Sequence, residues 1–176
     1  MTETAVPDSP VTRLEVVFKD IAATRMAGLP ILNPALSVAA VGFRHWRDGW
    51  YGVLITPWFM NLICLPDAPD EAADLGSGTR RVRPLPSGEY EFLSAHEAAL
   101  GAYWTSSLVS PMSQFGAMES AQAVAESVLE TLFTPEAETP VATPEVPPPS
   151  GLAARLEQPL SRRGFFAALL PKDPRP

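Results

Sequence analysis

Three residues in this chain carry the side chains of soft-metal ligands or nucleophiles: His45, Cys64 and His96. They lie far apart, in none of the short spacings that put two ligands on one turn or helix face, so no metal site is expected. With a single cysteine no intrachain disulfide can form, and the chain suits a reducing compartment. The carboxylates Asp67, Asp70, Glu71 and Asp74 are dense, but they lack the alternate-position ligand pattern of a calcium loop and read as a solvated acidic loop. Arg80, Arg81 and Arg83 form the one basic cluster of the body and read as a solvated strand face. No glycine-rich phosphate loop, nucleophile elbow or zinc-protease helix occurs. Catalytic residues, cofactor and metal are therefore all expected to be absent. The alternatives are a small enzyme with a non-standard site, or a peripheral membrane adaptor using a basic tail.

What remains with the capacity for work is apolar. Residues 52–66, GVLITPWFMNLICLP, are the densest apolar run, and Trp58, Phe59, Met60 and Asn61 stand at its centre. A run of this kind suits a strand buried on both faces, with a bend at Thr56 and Pro57 because proline lacks a ladder donor. Alternation then sends Trp58 and Met60 to one face and Phe59 to the other. Asn61, if buried, is expected to bond to nearby main chain. With Met112, Phe115 and Met118 these residues can line a groove for an apolar peptide, and the same residue types equally make plain core.

The elements that must position them follow from periodicity. Ser9-Pro10 opens a helix whose apolar face is Leu14, Val17, Phe18, Ile21 and Ala22, with Arg25 and Met26 in its last turn and Gly28 and Pro30 ending it. Asn33-Pro34 is a turn. Asp48-Gly49 between the β-runs 38–47 and 50–56 predicts a two-residue hairpin. A second hairpin joins 82–85 to 90–93 through Pro86-Ser87-Gly88, and 102–109 is a further strand. Ser110-Pro111 repeats the cap-then-proline signal ahead of a helix with Ala121, Val124, Ala125, Val128, Leu129 and Leu132 on one face. The fold class is thus α+β: an antiparallel sheet built from hairpins and packed by an N-terminal and a C-terminal helix.

The 176 residues divide into a polar, frayed N-terminus (1–9), an α+β domain (10–133), a linker (134–150) in which six of seventeen residues are proline, and a basic amphipathic tail (151–176) able to form a short helix. The formal charge of −7 is uneven, with an acidic body and a tail of net +3. An acidic body disfavours nucleic acid as partner. The N-terminal MTETAVPDSP has no basic-then-apolar leader pattern, and no stretch has the ~20 apolar residues of a membrane span, so the expected location is the cytoplasm, without stable membrane insertion.

The strings Arg25-Met26, Asn33-Pro34-Ala35-Leu36, Val41-Gly42-Phe43, Thr56-Pro57-Trp58-Phe59-Met60-Asn61-Leu62, Pro86-Ser87-Gly88 and Ser110-Pro111-Met112 resemble the HybE/HupJ family of NiFe-hydrogenase assembly chaperones, over about Leu14 to Phe133. The resemblance implies a non-enzymatic cytoplasmic accessory protein for maturation of an uptake hydrogenase. Its implied partners are the small-subunit precursor with its twin-arginine signal peptide, the large subunit as a further candidate, and other hydrogenase accessory proteins. The candidate client-binding residues are Trp58, Phe59, Met60 and Asn61 with the acidic loop Asp67, Asp70, Glu71 and Asp74. Ser161-Arg162-Arg163-Gly164-Phe165-Phe166 is similar to the core of a twin-arginine signal. It stands at the wrong end of the chain, so Arg162, Arg163, Phe165 and Phe166 are either a mimic that competes with a client or a coincidence.

Overall fold

The computed structural model describes residues 9–68 and 75–135; the tail residues and most of the linker and acidic loop lie outside that range. Helix α1 spans Pro10–Ala23, with proline at its start and extended backbone at Ser9, whose hydroxyl makes no capping bond. Leu14, Phe18 and Ile21 are its buried residues, one per turn. The helix stops earlier than its sequence implies. Thr24 donates its N–H and hydroxyl to Asp20 O at 3.0 and 2.7 Å, so Arg25 falls beyond the last turn, where it pairs with Glu97 at 2.8 Å.

Six strands follow: β1 Ala39–Trp46, β2 Gly49–Ile55, β3 Met60–Pro66, β4 Arg80–Leu85, β5 Gly88–Glu97 and β6 Gly101–Val109. They form one sheet in the order β1-β2-β3-β6-β5-β4, every neighbouring pair antiparallel. The hairpins expected around residues 48 and 87 are both present, the first with a shifted frame. Trp46 pairs with Gly49, so the two loop residues are Arg47 and Asp48, and Arg47 takes the left-handed backbone at φ 52°. Gly49 is required for a different reason: a Cβ there would lie 2.6 Å from the Leu65 carbonyl oxygen.

The apolar run departs further from expectation. It is not one bent strand but two, β2 and β3, with Ile55 paired to Met60 across a complete reversal at Thr56–Phe59. Both strands are central and buried on both faces, so no alternation in hydropathy marks the fold-back. Pro57 stands at the second position of the turn, where its fixed φ is favoured.

Alternation from the observed pairs assigns the faces. Leu54, Ile63, Leu65 and Tyr103 point to one side and pack with Leu14, Phe18, Ile21 and Val38 under α1. Tyr51, Val53, Leu62, Cys64, Phe92 and Trp104 point to the other. There the second helix, α2 (Met118–Phe133), buries Ala121, Ala125, Val128, Leu129 and Leu132. It approaches β1 so closely that a Cβ at Gly42 would meet the Leu129 side chain at 2.5 Å. A register irregularity between Val41 and Arg44 lets Phe43 turn to the α1 side, over Gly52. The start expected at Ser110-Pro111 is not used: that peptide bond is cis, and α2 begins at Met118 behind Ala117.

The sheet curls toward the α2 side. Arg83 on the edge strand β4 reaches Asp48, in the turn between β1 and β2, at 2.7 Å, and Ser87 N–H donates to Leu132 O at 3.1 Å. At the opposite edge, Glu15 of α1 accepts the Ala40 N–H of β1 at 2.8 Å.

Candidate functional site

Thr56 builds the aromatic turn almost alone. Its hydroxyl donates to Phe59 O at 3.0 Å and accepts from the N–H groups of Phe59 and Trp58 at 2.9 and 3.3 Å, while its own N–H donates to Phe59 O at 2.8 Å. Trp58 and Phe59 are thereby held side by side at the end of the β2–β3 hairpin, rings edge-to-face at 5.6 Å. Phe59 also packs edge-to-face on Phe18 at 5.9 Å. Both rings are half-buried against the α1 core.

Of the other members of the predicted groove, Met60, Met112 and Phe115 are core, while Met118 stands half-buried at the start of α2. Met60 is fully buried on the α2 side, so it does not share an accessible face with Trp58. Met112 and Phe115 are core, at 0% and 3% exposure. Asn61 is half-buried on the α1 side. Its amide donates not to main chain but to the Thr105 hydroxyl at 3.0 Å, and its Oδ1 is left without a protein partner. Asp67 is exposed and pairs with His45 at 2.8 Å. Asp70, Glu71 and Asp74, like Arg162, Arg163, Phe165 and Phe166, lie outside the described residues.

Beside the turn is an apolar surface that periodicity alone does not reveal. Pro30, Ile31, Leu32, Asn33, Pro34, Pro111 and Ser113 line an open cleft of about 420 Å³. Leu29 and Ile31 on the same segment are 43% and 55% exposed, large side chains left in water. Ser110 Oγ is 3.5 Å from Trp58 O, which brings the 110–113 wall next to the aromatic turn. A readable signal was present: Leu29-Pro30-Ile31-Leu32 is an apolar run interrupted by Pro30 and followed by Asn33-Pro34, too broken for a helix and without a strand partner.

The basic cluster also departs from expectation. Arg83 is not a solvated strand residue but is 5% exposed, donating to Asp48 Oδ2 at 2.7 Å and to Tyr51 Oη at 3.0 Å. Its guanidinium lies 5.0 Å from the Trp104 ring centroid, with that of Arg81 at 5.1 Å. Burial alone would push the Asp48 carboxyl up, but the Arg83 charge and hydrogen bond outweigh it and hold the group below its ordinary range. Cys64, on the same buried face, has its thiol pushed up to about 11, chiefly by burial. A thiol so protonated is a poor nucleophile and ligand. Among the described residues no group of three or more His, Cys, Asp or Glu side chains could hold a metal ion, and no helix is long and apolar enough to cross a membrane. What this arrangement can do is chiefly present apolar surface.

Residues 9–168 match the family model described as NiFe-hydrogenase assembly, chaperone, HybE. The chain is 42% identical over 167 residues to protein HoxT of Cupriavidus necator, covering 89% of this chain and 87% of that one. It is 48% identical over 118 residues to the hydrogenase expression/formation protein HupT of Azotobacter chroococcum, covering 66% and 77%. Among solved structures it is similar to the solution structure of HybE from Escherichia coli, at TM-score 0.53 and 23% identity over 81% of this chain and 85% of the other, which shows the fold. The helix–sheet–helix body with its cleft at the β2–β3 turn therefore belongs to the HybE family of NiFe-hydrogenase assembly chaperones.

Proposed function

We propose that this protein is a non-enzymatic cytoplasmic chaperone for an uptake NiFe hydrogenase, and that it holds the small-subunit precursor, through its twin-arginine signal peptide, before export. The large subunit and other accessory proteins are further candidate partners. The observation that carries the reading is the exposed apolar segment Leu29–Pro34, which with Pro111 and Ser113 walls the cleft beside Trp58. Large side chains kept in water next to a concavity are the usual mark of a surface that takes an apolar partner. Trp58 and Phe59, fixed by Thr56, add preformed aromatic area at little entropic cost.

This reading moves the client site away from Met60, which is buried, and rests on neither the acidic loop nor the tail. Titrating a synthetic peptide of the small-subunit signal segment into the wild type and a Leu29→Ser/Ile31→Ser variant tests it. Both positions are exposed, so the variant should fold with undiminished stability and bind at least about tenfold more weakly, because two large apolar contacts are lost. Equal affinity in the two proteins would place the client elsewhere.

A further inference from the structure

The cleft is assembled from segments that have no regular secondary structure, and one side chain joins them. Asn33 Nδ2 donates to Met112 O at 2.9 Å and to Phe115 O at 2.7 Å. Its backbone N–H donates to Pro57 O, in the aromatic turn, at 2.8 Å. Its Oδ1 accepts the Ala35 N–H at 3.0 Å and its carbonyl accepts the Leu36 N–H at 3.1 Å. Every polar group of the residue is engaged. Among the described residues, the two amide bonds are also what hydrogen-bonds segment 29–36 to segment 110–116.

We infer that Asn33 is a positioning residue for the proposed client site, fixing the separation of its two walls, Pro30–Pro34 and Pro111–Ser113, and their place against the Trp58 turn. This rests on the proposed client-binding function. The chemistry is specific to asparagine. Two carbonyl oxygens converge on a single nitrogen, so the position demands two N–H donors on one atom, beside an acceptor that closes a turn onto the residue two places on. Aspartate and serine both retain the acceptor for Ala35 and all the backbone bonds. Aspartate, however, turns a carboxylate oxygen toward two carbonyls, and serine's hydroxyl, one bond closer to the main chain, offers at most one donor for two acceptors.

The test is a titration of the same signal-segment peptide into Asn33→Ser and Asn33→Asp, well below their melting temperatures and with the sheet monitored by circular dichroism. Affinity of the folded protein should fall in the order Asn, Ser, Asp, by at least about tenfold for Asp at neutral pH, the equivalent of one lost net hydrogen bond. Lowering the pH should restore part of the Asp variant's affinity relative to wild type, since a protonated carboxyl regains a donor. A merely structural role would lower the melting temperature and leave the affinity of the folded fraction unchanged; that result, or no relative recovery at low pH, overturns the inference. Should Asn33→Asp fail to fold, Asn33→Ser decides alone. If Leu29→Ser/Ile31→Ser weakens binding and the folded Asn33 variants do not, only this inference fails. If Leu29→Ser/Ile31→Ser has no effect, the site itself is misplaced.

Discussion

The Arg83–Asp48 pair is lopsided: the arginine side chain is 6% exposed and the aspartate 63%. Removing either partner breaks the same 2.7 Å contact, yet the two removals should not cost the same. Asp48→Ala leaves a guanidinium desolvated with Tyr51 as its remaining acceptor. For a fully buried pair such an orphaned charge costs about 3–5 kcal/mol. Asp48 is open to water, and solvent screening reduces the figure here to about 2 kcal/mol. Arg83→Met keeps an unbranched apolar side chain beside Trp104, gives up the guanidinium's contacts with that ring and with Tyr51 Oη, and leaves behind an exposed carboxylate that water can solvate, so it should cost about 1 kcal/mol. Urea unfolding of both single variants and the double variant measures the asymmetry, and a loss for Arg83→Met equal to or above that for Asp48→Ala would refute the reasoning. The pH dependence supplies a second arm. The folded-state pKa of Asp48 lies below its ordinary value of 3.8, so its stabilisation is fully present above that value and disappears as pH falls through the depressed folded value. The stability gap between wild type and Asp48→Asn should therefore hold at pH 6 and narrow below pH ~4.

Gly49→Val should cost at least about 2 kcal/mol in thermal or urea unfolding, because the added Cβ collides with the Leu65 carbonyl. Arg47→Gly, at the residue that takes the positive φ, should stay within about 0.5 kcal/mol. Phe59→Ala should lose about 3 kcal/mol and Trp58→Ala clearly less, since Phe59 has edge contacts with both Phe18 and Trp58; equal losses would mean that neither ring is free for a client. Cys64, fully buried and with its thiol pushed up to about 11, should react with a thiol reagent only as fast as the protein opens, so that its rate rises along the denaturation curve.

Elements with a one-sided pattern were legible in the sequence. The Leu14-Phe18-Ile21 face, the Ala121–Leu132 face and the hairpin at Pro86-Ser87 each alternate between core and water, and that alternation is the readable quantity. The Gly52–Pro66 run defeated the reading because no side of it is wet, which removes the contrast that locates a turn. Asp48-Gly49 pointed to the right hairpin in the wrong frame: glycine signals left-handed backbone and close approach alike, and here close approach to Leu65 was its role. Ser110-Pro111 carried a helix-start signal with no helix behind it, since its neighbours Met112 and Phe115 are committed to the core instead. Of the candidate site, Trp58 and Phe59 were identifiable as bulky residues around a proline. Asn33 read only as a turn former, because its partners Met112 and Phe115 are distant in sequence, and the burial of Arg83 depends on a curl of the sheet that no local pattern encodes.

The Glu15 carboxylate on the Ala40 N–H has a meaning at the level of the cell. Ala40 lies on β1, the outermost strand of its edge, and the opposite edge strand, β4, contains Pro84, which has no N–H to offer. An open ladder at the border of a sheet recruits other exposed strands by main-chain pairing, without regard to sequence. With a donor on one border occupied and one on the other missing, each edge offers an intruding strand a ladder with a gap in it. Edges interrupted in this way are less open to edge-to-edge aggregation.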